Sequence, residues 1–97
     1  MCYVANVGDS RAILSANSGK NVYALSRDHK PDSDTEKKRI YDAGGTIYQG
    51  RVKRKSGKIV HCGPYRMEPG KLSVSRAFGD FDAKLPKYDG NPKVLIA

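Results

Sequence analysis

Asp9 and the basic run from Arg51 to Lys58 are the residues whose types and placing could do chemistry. Asp9 stands in Ala5-Asn6-Val7-Gly8-Asp9-Ser10-Arg11-Ala12-Ile13-Leu14, where a polar corner joins two apolar runs. Two readings of it are open on residue type alone. A turn aspartate would be solvated or paired with Arg11, because Asp and Ser side chains bond readily to nearby backbone. A carboxylate fixed at a rigid corner would instead turn its oxygens outward, which suits a hard cation such as Mg²⁺ or Mn²⁺. One carboxylate is not a complete site. The run Arg51-Val52-Lys53-Arg54-Lys55-Ser56-Gly57-Lys58 likewise reads two ways. It is a solvated hairpin tip around Ser56-Gly57, or a patch that draws in a phosphorylated or acidic segment. His29, His61, Cys2 and Cys62 are the other metal-ligating types, but no C-x-x-C spacing occurs. His61 and Cys62 are neighbours in an expected strand and leave opposite faces, so no zinc site is expected. His29 beside Asp28 reads as a structural hydrogen-bonding pair.

Positioning these groups is the work of short elements. Cys2 to Val7 is apolar except at Asn6, which predicts a strand covered on both faces, with Arg11 to Ala16 as its returning partner. Gly8 supplies the positive φ that such a reversal asks for, which puts Asp9 at the tip of a hairpin. Ser18-Gly19-Lys20-Asn21 signals a turn before a strand over Val22 to Ser26. Pro31 keeps Lys30 extended, and Asp32 or Ser33 caps a helix over 33–43, with Glu36 completing a capping box. Ile40, Tyr41 and Ala43 are its apolar anchors, and Gly44-Gly45 stops it. Thr46 to Tyr48 starts another strand, and Ile59 to Cys62 pairs back against 46–52. Gly63-Pro64 and Pro69-Gly70 bracket an irregular loop holding Tyr65, Arg66 and Met67. Leu72 begins a strand that becomes helix-like from Ser75 and ends at Gly79.

A chain of 97 residues is one small domain at most, and its core must be thin. Eighteen Lys and Arg against ten Asp and Glu give a net charge of +8, which favours anionic partners. A nucleic-acid partner is not expected, because helix-turn-helix, zinc-finger and ribonucleoprotein patterns are all missing. No apolar run approaches the roughly 20 residues that span a bilayer, so no membrane partner is expected either. Sparse cysteine fits a reduced compartment, cytoplasmic or nuclear. The apolar runs at both ends, Cys2 to Val7 and Val94 to Ala97, lead us to expect a segment of a larger sheet whose exposed edges self-associate.

Four blocks carry a family resemblance. Ala5-Asn6-Val7-Gly8-Asp9-Ser10-Arg11-Ala12 comes first, then Leu25-Ser26-Arg27-Asp28-His29-Lys30-Pro31, then Glu36-Lys37-Lys38-Arg39-Ile40 with Ala43-Gly44-Gly45, and last Leu72-Ser73-Val74-Ser75-Arg76-Ala77-Phe78-Gly79-Asp80. In order and spacing they resemble the middle section of the protein phosphatase 2C family, the metal-dependent protein serine/threonine phosphatases. Gly63 to Ala97 is similar to a branch with a longer insertion before the Ser-Arg-Ala block. The resemblance covers nearly the whole chain and implies an α+β fold. Residues 1–97 would form a partial domain, the antiparallel β-sheet portion of an α-β-β-α sandwich. A flap at about 32–71 would carry one surface helix.

The resemblance also implies chemistry, in which two Mn²⁺ or Mg²⁺ ions activate the water that hydrolyses phosphoserine or phosphothreonine in proteins. Asp9, by its place in Gly8-Asp9-Ser10-Arg11, would ligate a third, more weakly held metal. The family's Asp-Gly-His block and phosphate-binding arginine would precede residue 1, and its later metal aspartates would follow residue 97. Asp89-Gly90 imitates those aspartates by letters only. The complete binuclear site therefore needs residues outside this chain, no residue within it is assigned as catalytic, and the isolated chain is expected to be inactive. A pseudophosphatase-type regulatory binding module is the alternative. Arg11 and Arg76 are expected to pair internally with carboxylates or carbonyls, and Asp80 to cap or close a turn. Arg51, Lys53 and Arg54 on the flap are the candidates for substrate binding.

Overall fold

The computed structural model describes all 97 residues. Two antiparallel ribbons and one helix of useful length make up the regular structure. Strand β1, Ile13–Ala16, pairs with β2, Asn21–Ala24, in the register Ile13 to Ala24. Asn17, Ser18 and Gly19 take positive φ in the turn between them, where the tight reversal demands left-handed backbone. Helix α1, Asp34–Asp42, follows Pro31 and starts from Ser33 as its N-cap residue. Gly44, at φ +89°, ends it in the left-handed conformation that terminates helices. Strands β3, Thr46–Lys53, and β4, Ile59–Glu68, form the second ribbon. A short helix α2, Phe81–Lys84, and a 3₁₀ turn, Pro86–Tyr88, follow.

The core is small because few elements face one another. Ile40, Met67, Ala83, Val94 and Leu95 form it, with Ala43, Ile47, Leu72 and Ala77 packed against it. Only 9 of 97 residues are buried. The radius of gyration, 16.8 Å, exceeds the roughly 12.5 Å of a compact domain of this length. The chain is therefore an open slab whose ribbons leave apolar faces uncovered. Ile13, Leu14, Val22 and Tyr23 are all exposed on the first ribbon.

Several expectations change here. Residues Cys2 to Val7 form no strand and pair with nothing, so no hairpin encloses Asp9. An apolar run is a strand only where a neighbour offers a ladder, and no backbone–backbone hydrogen bond joins residues 2–7 to β1 or to any other segment. Glu36 makes no capping box, since two arginines take both of its oxygens. Ser33 Oγ donates to the Lys30 carbonyl instead. Tyr41 is exposed rather than an anchor of α1. Tyr65, Arg66 and Met67 are strand, because β4 continues through the glycine-proline pair to Glu68. The stretch from Leu72 makes single bridges, Leu72 to Met67 and Arg76 to Ile96, with no helix at Ser75. Val94 and Leu95 are fully buried, so the C-terminal run is core rather than an exposed edge.

Candidate functional site

Asp9 sits at an exposed bend, and neighbouring backbone fixes that bend in place. Gly8, at φ +101°, donates its N–H to His29 Nδ1 at 3.2 Å, and the His29 N–H donates back to the Gly8 carbonyl at 2.9 Å. Asn6 Nδ2 donates to the Arg27 carbonyl at 3.1 Å. The His29 carbonyl accepts from the Ser75 N–H at 2.8 Å, which ties the same corner to a third segment. Two reciprocal bonds across 21 residues hold the corner as a strand partner would.

Arg11 resolves the two readings of Asp9 on one point. It forks onto Asp28, with Nε donating to Oδ1 at 3.0 Å and Nη2 to Oδ2 at 2.8 Å. The hydrogen bond from Arg11, against a smaller opposing effect of burial, holds the Asp28 carboxyl below its ordinary range, and the same bond raises Arg11. Asp9 makes no ion pair, so its carboxylate stands free. Arg76 also pairs internally, donating Nε to Glu36 Oε1 at 2.6 Å. Asp80 precedes α2 in left-handed backbone without a side-chain capping bond.

A cleft of about 310 Å³ opens at Asp9. Lys30, Asp32 and Ser73 line it together with Gln49, Gly63, Pro64 and Tyr65 of the second ribbon. The ribbon reaches it through an irregularity: the β3–β4 register jumps between Gln49 and Gly50, so Gly63 and Pro64 lack cross-strand partners. Gly63 takes φ +80° there, and Gln49 Nε2 donates to its carbonyl at 2.8 Å. A bulge of this kind bends a strand and re-aims its side chains. A larger, open cavity of about 800 Å³ runs along the same ribbon, lined by Arg51, His61 and Tyr65 among others. Gln49 and Tyr65 border both cavities. Arg51 is thus near the cleft's outer wall, whereas Lys53 and Arg54 lie further toward the exposed tip and line neither cavity.

The donor set in the cleft has a definite capacity for metal. No three His, Cys, Asp or Glu residues anywhere in the chain come together. Asp9 and Asp32 offer carboxylates to one cleft, and a Mg²⁺-like ion accepts one or two carboxylates while keeping several waters. These residues fit part of one hydrated ion's shell but not a binuclear centre. Lys30, Asp32, Ser73 and the His29 clasp were missed from sequence. In extended backbone Asp28 and His29 must face opposite ways, and that alternation was the available signal.

Comparison with known proteins adds the family. The family model for protein phosphatase 2C matches residues 2–96. "Probable protein phosphatase 2C 60" of Arabidopsis thaliana is 40% identical over 94 residues, 97% of this chain and 21% of the relative. "Probable protein phosphatase 2C 58" of Oryza sativa subsp. japonica is 41% identical over 93 residues, 96% of this chain and 20% of its own length. "Probable protein phosphatase 2C 5" of Paramecium tetraurelia is 44% identical over 82 residues, covering 84% of this chain and 22% of the relative. The chain spans about a fifth of the length of these curated relatives.

Proposed function

The chain belongs to the protein phosphatase 2C family, and on that premise we propose that it is the central segment of a metal-dependent phosphatase acting on phosphoserine and phosphothreonine in proteins. The observation that carries this reading is the free carboxylate of Asp9, held at a pinned corner over a polar cleft. Asp9 would hold one hydrated Mg²⁺ or Mn²⁺ ion, with Asp32 within the same cleft. The chemistry such ions supply when bound is neutralisation of phosphoryl charge and a lowered pKa for the attacking water. This chain's own residues orient and attract. His29, Asn6 and Arg11 keep the corner rigid, and Arg51, Lys53 and Arg54 draw a phosphorylated segment toward the cleft. The binuclear ligands come from outside the chain, so the isolated chain turns nothing over. A phosphoprotein substrate is the partner this reading entails, in the cytoplasm or nucleus and without nucleic acid or membrane. The unpaired run Cys2 to Val7 supports self-association of the isolated chain.

A second reading is a regulatory module that binds phosphoproteins without hydrolysing them, resting on the five exposed, unpaired cations of the ribbon tip, which can hold a phosphorylated segment without a metal. Grafting residues 1–97 in place of the matching segment of a catalytically complete family member separates the two. Metal-dependent hydrolysis of a phosphothreonine peptide by the graft supports the phosphatase. A folded graft that binds the peptide without releasing phosphate supports the module.

A further inference from the structure

The tip of the β3–β4 ribbon holds a hydroxyl that substrate attraction does not use. Lys53-Arg54-Lys55-Ser56-Gly57 places three consecutive cations directly before Ser56, which is true of no other serine in the chain. Gly57, at φ +84°, turns the chain there. Two backbone bonds close the tip, Arg54 N–H to the Lys58 carbonyl at 2.8 Å and Gly57 N–H to the Arg54 carbonyl at 2.9 Å. Every residue from Arg51 to Ile59 is exposed. None of the five cations there makes an ion pair, and the Ser56 hydroxyl bonds to no protein atom. No second layer covers the ribbon at this end. Opening its last rungs, Lys53 to Ile59 and Val52 to Val60, therefore uncovers no core, and residues 51–57 can be offered to another enzyme as an extended peptide.

We propose that Ser56 is a phosphorylation site for a protein kinase with an acidic substrate cleft, and that its phosphate weakens the attraction of the ribbon for anionic segments. Arg54 and Lys53, two and three residues before the acceptor, offer that cleft charge-assisted hydrogen bonds to carboxylates. In the transfer, Ser56 Oγ forms a bond to the γ-phosphorus of ATP as the bond from that phosphorus to the bridging β–γ oxygen breaks. ADP leaves, and the hydroxyl proton passes to the kinase's catalytic aspartate. Arg51, Lys53, Arg54, Lys55 and Lys58 give the tip five positive charges. A phosphate of about −2 leaves roughly three and occupies its neighbours' donors. The effect on binding rests on the reading of Arg51, Lys53 and Arg54 as substrate-attracting; the modification does not.

The test treats the full 97-residue chain with ATP and the catalytic subunit of cyclic-AMP-dependent protein kinase, and maps phosphate by intact and fragment mass. One phosphate on Ser56 is expected, abolished by Ser56→Ala, with the initial rate at least about tenfold lower when Lys53 and Arg54 are both alanine. No incorporation, or incorporation that survives Ser56→Ala, overturns the site. A second arm measures binding of an acidic phosphothreonine peptide at low salt, where phosphorylation should weaken affinity about fivefold and 0.5 M salt should erase the difference. Unchanged affinity after phosphorylation, when alanine at Arg51, Lys53 and Arg54 does weaken it, overturns the switch. If that triple variant leaves binding unchanged, substrate attraction by the ribbon fails and the switch with it, while the mass map still decides the site.

Discussion

Glu36 and the ribbon tip are both rich in charge and use it in opposite ways. Glu36 is buried, with one oxygen on Arg39 at 2.7 Å and the other on Arg76 at 2.6 Å. Arg39 then reaches the carbonyls of Ser75, Lys93 and Val94, so one ionic knot joins α1 to the segments that carry Ser75 and Leu95. At the tip, five cations face solvent with no carboxylate in reach. Charge whose partners are internal holds this thin fold together. Charge without partners is available to something outside it.

Breaking the knot should give the largest effect. Glu36→Ala leaves two half-buried arginines unpaired and should cost about 3–5 kcal/mol in urea unfolding; a loss under about 1 kcal/mol would mean the knot is dispensable. Gly45→Ala comes next, because a Cβ there would lie 2.8 Å from Val94 Cγ1 and 2.9 Å from the Glu68 carbonyl oxygen. Overpacking against backbone should cost about 1–3 kcal/mol, and a neutral result would show that the core yields at that point.

The knot should also respond to acid. Burial pushes Glu36 up, but the hydrogen bonds and charges of Arg39 and Arg76 outweigh it, so its carboxyl titrates below the usual range. Its contribution is complete above the unfolded-state value of about 4.3 and is lost as pH falls through the lower folded value. Melting temperature should therefore drop below about pH 4. Glu36→Gln should flatten that drop, and an unchanged profile in Glu36→Gln would assign the acid sensitivity elsewhere. The smallest stability effect belongs to the tip: alanine at Arg51, Lys53 and Arg54 should change unfolding by no more than about 0.5 kcal/mol. The same change should weaken binding of the acidic peptide about tenfold at low salt. A large loss of stability would place those cations in the fold after all.

What was legible from sequence follows the range of the interactions involved. Helix α1 and the pairing of Ile59 to Cys62 against β3 are local patterns, and both form where the residues predict. Arg11 and Arg76 pair internally as the sequence reading expects, although their partners Asp28 and Glu36 could not be named in advance. Glu36 shows why: three residues after Ser33 it fits a capping box, but the burial of two arginines beside it claims its oxygens first. Cys2 to Val7 has the composition of a strand, and composition cannot supply the neighbour a strand requires. Val94 and Leu95 look like an exposed edge until Arg39 draws that segment onto α1. At the site, the corner of Asp9 was visible through Gly8, whereas its clasp to His29 spans 21 residues and leaves no local trace.

The most direct test returns to Asp9 in the grafted phosphatase. Phosphate release from a phosphothreonine peptide is followed as Mn²⁺ is raised, for the graft and for its Asp9→Asn variant. A metal ligand predicts that Asp9→Asn lowers kcat at least about tenfold and shifts the half-maximal Mn²⁺ concentration upward, with melting temperature unchanged. Identical metal titrations for the two proteins would show that Asp9 is a solvated turn residue, and would remove the residue on which the proposed function rests.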